Sequence, residues 1–141
     1  MSESTPATRP RAIVAGHGSF PDGIVSAVSQ ITGRGDQLVA FSNNGLCREQ
    51  IESGLRDALA RYDIHVVFTD LPGGSATIAI RRIMRDDPSI VLVTGTNLAT
   101  LVDFVFQDVS IPPADAARRA AEKGRIALCA TGGVSNIVNG G

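Results

Sequence analysis

The chain has 141 residues, 43% of them hydrophobic and 19% charged, with a formal net charge of −1. That is a globular composition, long enough for one domain with a buried core, and it excludes disorder over the whole chain. Near-neutral charge, no Trp and 4% aromatic residues remove the electrostatic and stacking grounds for nucleic-acid binding. No apolar stretch approaches the ~20 residues of a membrane helix.

Residues 1–11 are mostly Ser, Thr, Pro and Arg, without an apolar run. They are expected to form a disordered tail rather than a secretory leader, which makes the protein soluble and cytoplasmic. The apolar run Ala12-Ile13-Val14-Ala15 predicts a first strand over 12–15, and Gly16-His17-Gly18-Ser19 the loop after it. Ser19 can cap a first helix whose stripe is Ile24, Ala27, Val28 and Ile31, with Pro21 in its first turn and Gly33 and Gly35 stopping it. A second strand is expected over 37–41 and a second helix over 48–62, with Glu52 and Arg56 spaced to pair. A third strand over 64–69 runs into Asp70-Leu71-Pro72-Gly73-Gly74-Ser75, where Ser75 can cap a third helix that ends at Asp86-Asp87-Pro88. A fourth strand (90–94), a fourth helix (99–106), a short Ala-rich helix (114–123) broken by Gly124, and a last strand (125–131) complete the domain, 12–131. Residues 132–141, rich in Gly and Asn, are expected to be a mobile tail.

Strands alternating with helices predict an α/β, doubly wound fold. The sheet is expected to be mainly parallel with strand order 2-1-3-4, and the C-terminal strand is a fifth. In such a sheet, chemistry gathers at the carboxyl ends of the strands, where the order reverses. The loops after strands one and three face each other there, which sets His17 opposite Asp70. Gly73 and Gly74 let backbone N–H groups approach a ligand, and Ser75 opens a helix whose N-terminus favours anions. An imidazole, a carboxylate and anion-friendly amides in one cleft suit phosphoryl transfer through histidine. A carboxylate holding one ring nitrogen fixes the tautomer and leaves the other nitrogen free to attack phosphorus.

His65 starts the third strand, at the wrong end of the sheet for this site, and is expected to be structural. Arg81, Arg82 and Arg85 read as a solvated helix face. Cys47 and Cys129 are too few and too far apart for a disulfide scaffold or a zinc site, and neither a metal nor a cofactor is expected.

The order Ile13-Val14-Ala15-Gly16-His17-Gly18, then Val66 to Ser75, then Gly95-Thr96-Asn97-Leu98 resembles the IIA component of the mannose-type (mannose–fructose–sorbose) sugar phosphotransferase system over about residues 12–107. The segments Gly16 to Phe20 and Thr69-Asp70-Leu71 look nearest to its N-acetylgalactosamine branch. The resemblance implies that the carrier protein HPr phosphorylates His17, that His17 passes the group to a separate IIB component, and that Asp70 orients the ring. Gly18, Gly73, Gly74 and Ser75 would receive the phosphoryl oxygens. It further implies a homodimer in which the last strand joins the neighbouring subunit's sheet. Two segments depart from the family pattern: Ala76-Thr77-Ile78, where Pro-Phe-Asn is usual, and Gly45-Leu46-Cys47 after strand two. Two alternatives stand beside this one. A IIA-like domain can serve as a phosphorylation-state sensor that controls a kinase or regulator, and a small tetrapyrrole chelatase also carries a His-Gly-Ser segment after its first strand.

Overall fold

The structure is a computed structural model and describes residues 9–134. Four parallel strands, β1 (Ala12–Gly16), β2 (Leu38–Ser42), β3 (Val66–Thr69) and β4 (Val91–Val93), form one sheet in the order β2-β1-β3-β4. The helices are α1 (Phe20–Thr32), α2 (Arg48–Tyr62), α3 (Ser75–Asp86), α4 (Leu98–Phe106) and α5 (Pro113–Ala127).

Side chains alternate across a strand, so the two central strands feed two cores. Ala12, Val14, Val66 and Phe68 point to one face, where Val28 of α1, Leu101 and Phe104 of α4 and Ala116, Ala117 and Ala120 of α5 cover them. Ile13, Ala15 and Val67 point to the other, under Ile51, Leu55 and Leu59 of α2 and Ala76, Ala79, Ile80 and Ile83 of α3. Burial on both faces is why β1 and β3 read as unbroken apolar runs. Each large side chain so buried contributes roughly 1.5–3 kcal/mol, and Phe68 also meets Phe104 edge to face at 5.0 Å.

Arg11, at the end of the expected tail, is held firmly. Its N–H donates to the Gln37 carbonyl at 2.7 Å, its guanidinium donates to Gln37 Oε1 at 2.9 Å, and it stacks over the Phe104 ring at 4.7 Å. Residues 1–8 and 135–141 of the two expected tails lie outside the described residues.

The C-terminal part differs from the expectation. Gly124 does not end the last helix; α5 continues to Ala127, so Arg125 to Ala127 are helical rather than extended. The reason is packing. A Cβ at Gly124 would lie 1.8 Å from Thr100 Oγ1 and 2.8 Å from Asn97 Oδ1, so glycine lets α5 press against the start of α4. The Ala-rich flanks carry the helix across a residue that costs only about 1 kcal/mol there. Leu128 then leaves the helix in an extended conformation (φ −82°, ψ 106°), and residues 128–134 form no strand within this chain.

The caps differ too. Ser19 is the N-cap residue of α1 but makes no side-chain cap bond. Ser75 is already inside α3, with Gly74 as its N-cap. Asn97 caps α4 instead, its Oδ1 accepting from the Thr100 N–H at 3.0 Å, while its amide donates to the Gly124 carbonyl at 2.9 Å.

Candidate active site

β1 and β3 run side by side, and the last paired residues, Ala15 and Thr69, put Gly16 next to Asp70. The contact is close: a Cβ on Gly16 would lie 2.6 Å from the Asp70 carboxyl carbon. Only a residue without a side chain lets the carboxylate lie across the end of β1. After Gly16 the chain turns sharply at Gly18 (φ 54°), and the His17 carbonyl accepts from the Phe20 N–H at 3.0 Å as α1 begins. The turn is also braced from β2. Ser42 Oγ donates to the Gly18 carbonyl at 2.8 Å, and the Asn43 N–H donates to the Gly16 carbonyl at 3.0 Å.

Asp70 Oδ2 accepts two hydrogen bonds from one residue, from the His17 backbone N–H at 2.8 Å and from ring Nδ1 at 2.8 Å. A carboxylate only accepts, so the ring proton sits on Nδ1. Nε2 has no hydrogen-bond partner among the described residues. The two groups are unequally exposed, 52% for the His17 side chain and 12% for that of Asp70. Burial by itself would push the Asp70 carboxyl up. The two hydrogen bonds from His17 and the attraction of the ring outweigh it, and the carboxyl lies below its ordinary value. Asp70 Oδ1 is buried without a partner among the described residues.

The N-terminus of α3 closes the site from the third side. Gly74 is buried, and a Cβ there would lie 2.9 Å from His17 Cε1. The ring therefore rests on the peptide that opens α3, whose first N–H groups have no partner in the helix and whose dipole favours negative charge. Among the positions expected from the sequence, His17, Asp70 and Gly74 converge directly. Gly18 forms the turn beside them, Ser75 is the exposed first residue of α3, and Gly73 is exposed in the loop.

Other candidates lie elsewhere. His65 is at the opposite end of the sheet, with its Nδ1 at 3.0 Å from Ser89 Oγ and its Nε2 at 3.2 Å from Asp63 Oδ1. Among the described residues, no group of three His, Cys, Asp or Glu side chains is placed to hold a metal ion. Glu52 and Arg56 pair at 3.0 Å, as their spacing predicts. Arg34 reaches the Val105 carbonyl and the Phe106 ring. A cavity of about 480 Å³ lies by Arg11, His65 and Phe104, far from His17. His17 itself stands on an open surface, beside a smaller cavity of about 210 Å³ lined by Leu46, Arg48, Ile51, Ser75, Ile78 and Ala79. Three residues of the site escaped the sequence reading: Ser42, Thr69 and Thr77. Their only signal is a hydroxyl at a strand end or on the inner face of a helix, where an aliphatic side chain would be equally at home.

The family EIIA-man, described as the PTS system fructose IIA component, matches residues 11–120. The chain is also similar to three solved structures. The phosphotransferase component EIIA from Streptococcus agalactiae is 25% identical, with a TM-score of 0.67 over 81% of this chain and 93% of that one. The mannose/sorbose-specific IIA subunit from Enterococcus faecalis is 18% identical, with a TM-score of 0.72 over 93% and 100%. The IIA protein associated with the fucose utilization operon of Streptococcus pneumoniae is 18% identical, with a TM-score of 0.72 over 89% and 96%. The curated proteins give no match.

Proposed function

This chain belongs to the EIIA-man family and is a IIA phosphocarrier component of the sugar phosphotransferase system, and from that premise we propose that it carries the phosphoryl group on Nε2 of His17. The observation that carries the proposal is the 2.8 Å bond between Nδ1 and Asp70 Oδ2. It commits the ring proton to one nitrogen and leaves a lone pair on the other.

In this scheme the donor is the phosphohistidine of HPr. The lone pair of Nε2 attacks phosphorus, a new P–N bond forms, and the P–N bond to the donor ring breaks with its electron pair leaving on the donor nitrogen. Positive charge grows on the His17 ring and is balanced by the Asp70 carboxylate. Negative charge spread over the phosphoryl oxygens is met by backbone N–H groups at the start of α3 and at Gly18. The same steps in reverse deliver the group to a IIB component. The half-open ring suits a protein donor, which must bring its own histidine into contact. Leu71 (53% exposed), Ile78 (47%) and Leu46 (38%) supply apolar surface for such a partner on the loops after β3 and β2 and on the first turns of α3. We place the protein in the cytoplasm with these partners; among the described residues no helix is long and apolar enough to cross a membrane.

We also propose a homodimer. Among the described residues β4 is paired on one side only, and Leu128 is extended and 80% exposed. A segment from a second copy lying along β4 would cover an open sheet edge.

The test is phosphotransfer from phosphoenolpyruvate through enzyme I and HPr. The wild-type chain is expected to take up acid-labile, base-stable phosphate, and His17→Ala none. A His17→Ala variant that labels as well as the parent would overturn the proposal.

A further inference from the structure

Asp70 is useful only if it stays in place, and among the described residues nothing donates to its buried Oδ1. Its flanks are held from α3. Thr77 lies in the first turn of that helix, fully buried, and its Oγ1 donates to the Leu71 carbonyl. The same Oγ1 is 2.7 Å from Oγ1 of Thr69, also fully buried. A hydroxyl has one proton, and that of Thr77 is spent on Leu71, so Thr69 must be the donor between the two. The result is a directed chain, Thr69 O–H to Thr77 O–H to Leu71 C=O, that grips the residue before Asp70 and the residue after it. The Thr69 carbonyl is fixed as well, accepting from the Thr96 N–H at 3.1 Å. Thr77 also belongs to the helix whose opening residue, Gly74, supports the His17 ring. One buried hydroxyl thereby locks the carboxylate loop to the helix that would face the phosphoryl group.

We infer that Thr77 is a positioning residue for phosphoryl transfer, acting through Asp70 on the tautomer of His17. The inference rests on His17 being the phosphoryl carrier, yet half of it can be read without any donor. In the unphosphorylated full chain, nitrogen spectra of labelled histidine at alkaline pH report which ring nitrogen bears the proton, and His17→Ala assigns the signal against that of His65. The parent is expected to show the Nδ1–H tautomer alone.

Thr77→Val keeps the shape but removes the proton and the acceptor. It should give a mixture of tautomers and slow transfer from HPr by about tenfold, as small misplacements of reacting groups do, with KM for HPr unchanged. Thr77→Ser should restore both. If Thr77→Val does not fold, Thr69→Val breaks one link of the chain and is expected to move both readouts in the same direction by less. A folded Thr77→Val, or in its place Thr69→Val, with the parent's tautomer and rate would overturn the inference. Failure of the carrier proposal would look different: a parent that shows the tautomer and its dependence on Thr77 but takes up no phosphate.

Discussion

At the scale of residues, the decisive unit is one oxygen. Asp70 Oδ2 holds the backbone and the ring of His17 at the same 2.8 Å, so it sets both where the imidazole points and which nitrogen is bare. Asp70→Asn keeps the shape but cannot act as a twofold acceptor with a full negative charge. Under the carrier scheme its transfer rate should fall by about 10²-fold, measured by rapid-quench phosphotransfer, with the fold retained by circular dichroism. The same pair predicts a dependence on pH. The folded carboxyl lies below its ordinary 3.8, so the native state binds fewer protons than the unfolded chain in that range. The stabilisation is present above about pH 4 and is lost as pH falls through the folded value. Urea unfolding of parent and Asp70→Asn should therefore show a free-energy difference, parent minus variant, that shrinks from pH 7 to pH 3.

At the scale of elements, the strands and the first four helices follow from pattern, because apolar runs and stripes report directly which faces are covered. The second helix was legible to the residue, and β1 and β3 nearly so. What the sequence hid is contact between elements. Gly124 has the composition of a helix stop and the surroundings of a helix crossing, and only the Thr100 and Asn97 side chains opposite it distinguish the two. Gly124→Ala raises helix propensity, yet it must displace Thr100 Oγ1 from its 2.8 Å bond to Asn97. It is expected to destabilise the fold by about 2 kcal/mol, measured by urea unfolding; a stabilised variant would show that α5 has room to shift. Thr77 was hidden for the same reason. A threonine on the inner face of a helix gives no hint that its hydroxyl meets another from a strand end.

At the scale of the molecule, His17 and Asp70 were legible because strand order alone juxtaposes two loops, whatever the side chains do. In the 2-1-3-4 order expected for alternating strands and helices, the first and third strands are neighbours, as the structure has them, and their outgoing loops stand face to face. The proposed second copy is a different matter, since a segment that paired outside its own chain would leave no partner to detect. Leu128→Asp places a charge on the extended segment and, in the proposed dimer, into the joint between copies. Sedimentation of the full chain should show dimer for the parent and a shift toward monomer for the variant, while a variant as dimeric as the parent would locate the contact elsewhere.

More than half of the His17 side chain faces solvent, and this has a cost in use. No flap need open or shut before a donor or recipient arrives, so turnover in the proposed scheme is set by how often two proteins collide in register. Bulk water has the same access. In that scheme a charged ring left waiting would slowly lose its cargo to hydrolysis, and its exposure would suit rapid relay rather than storage.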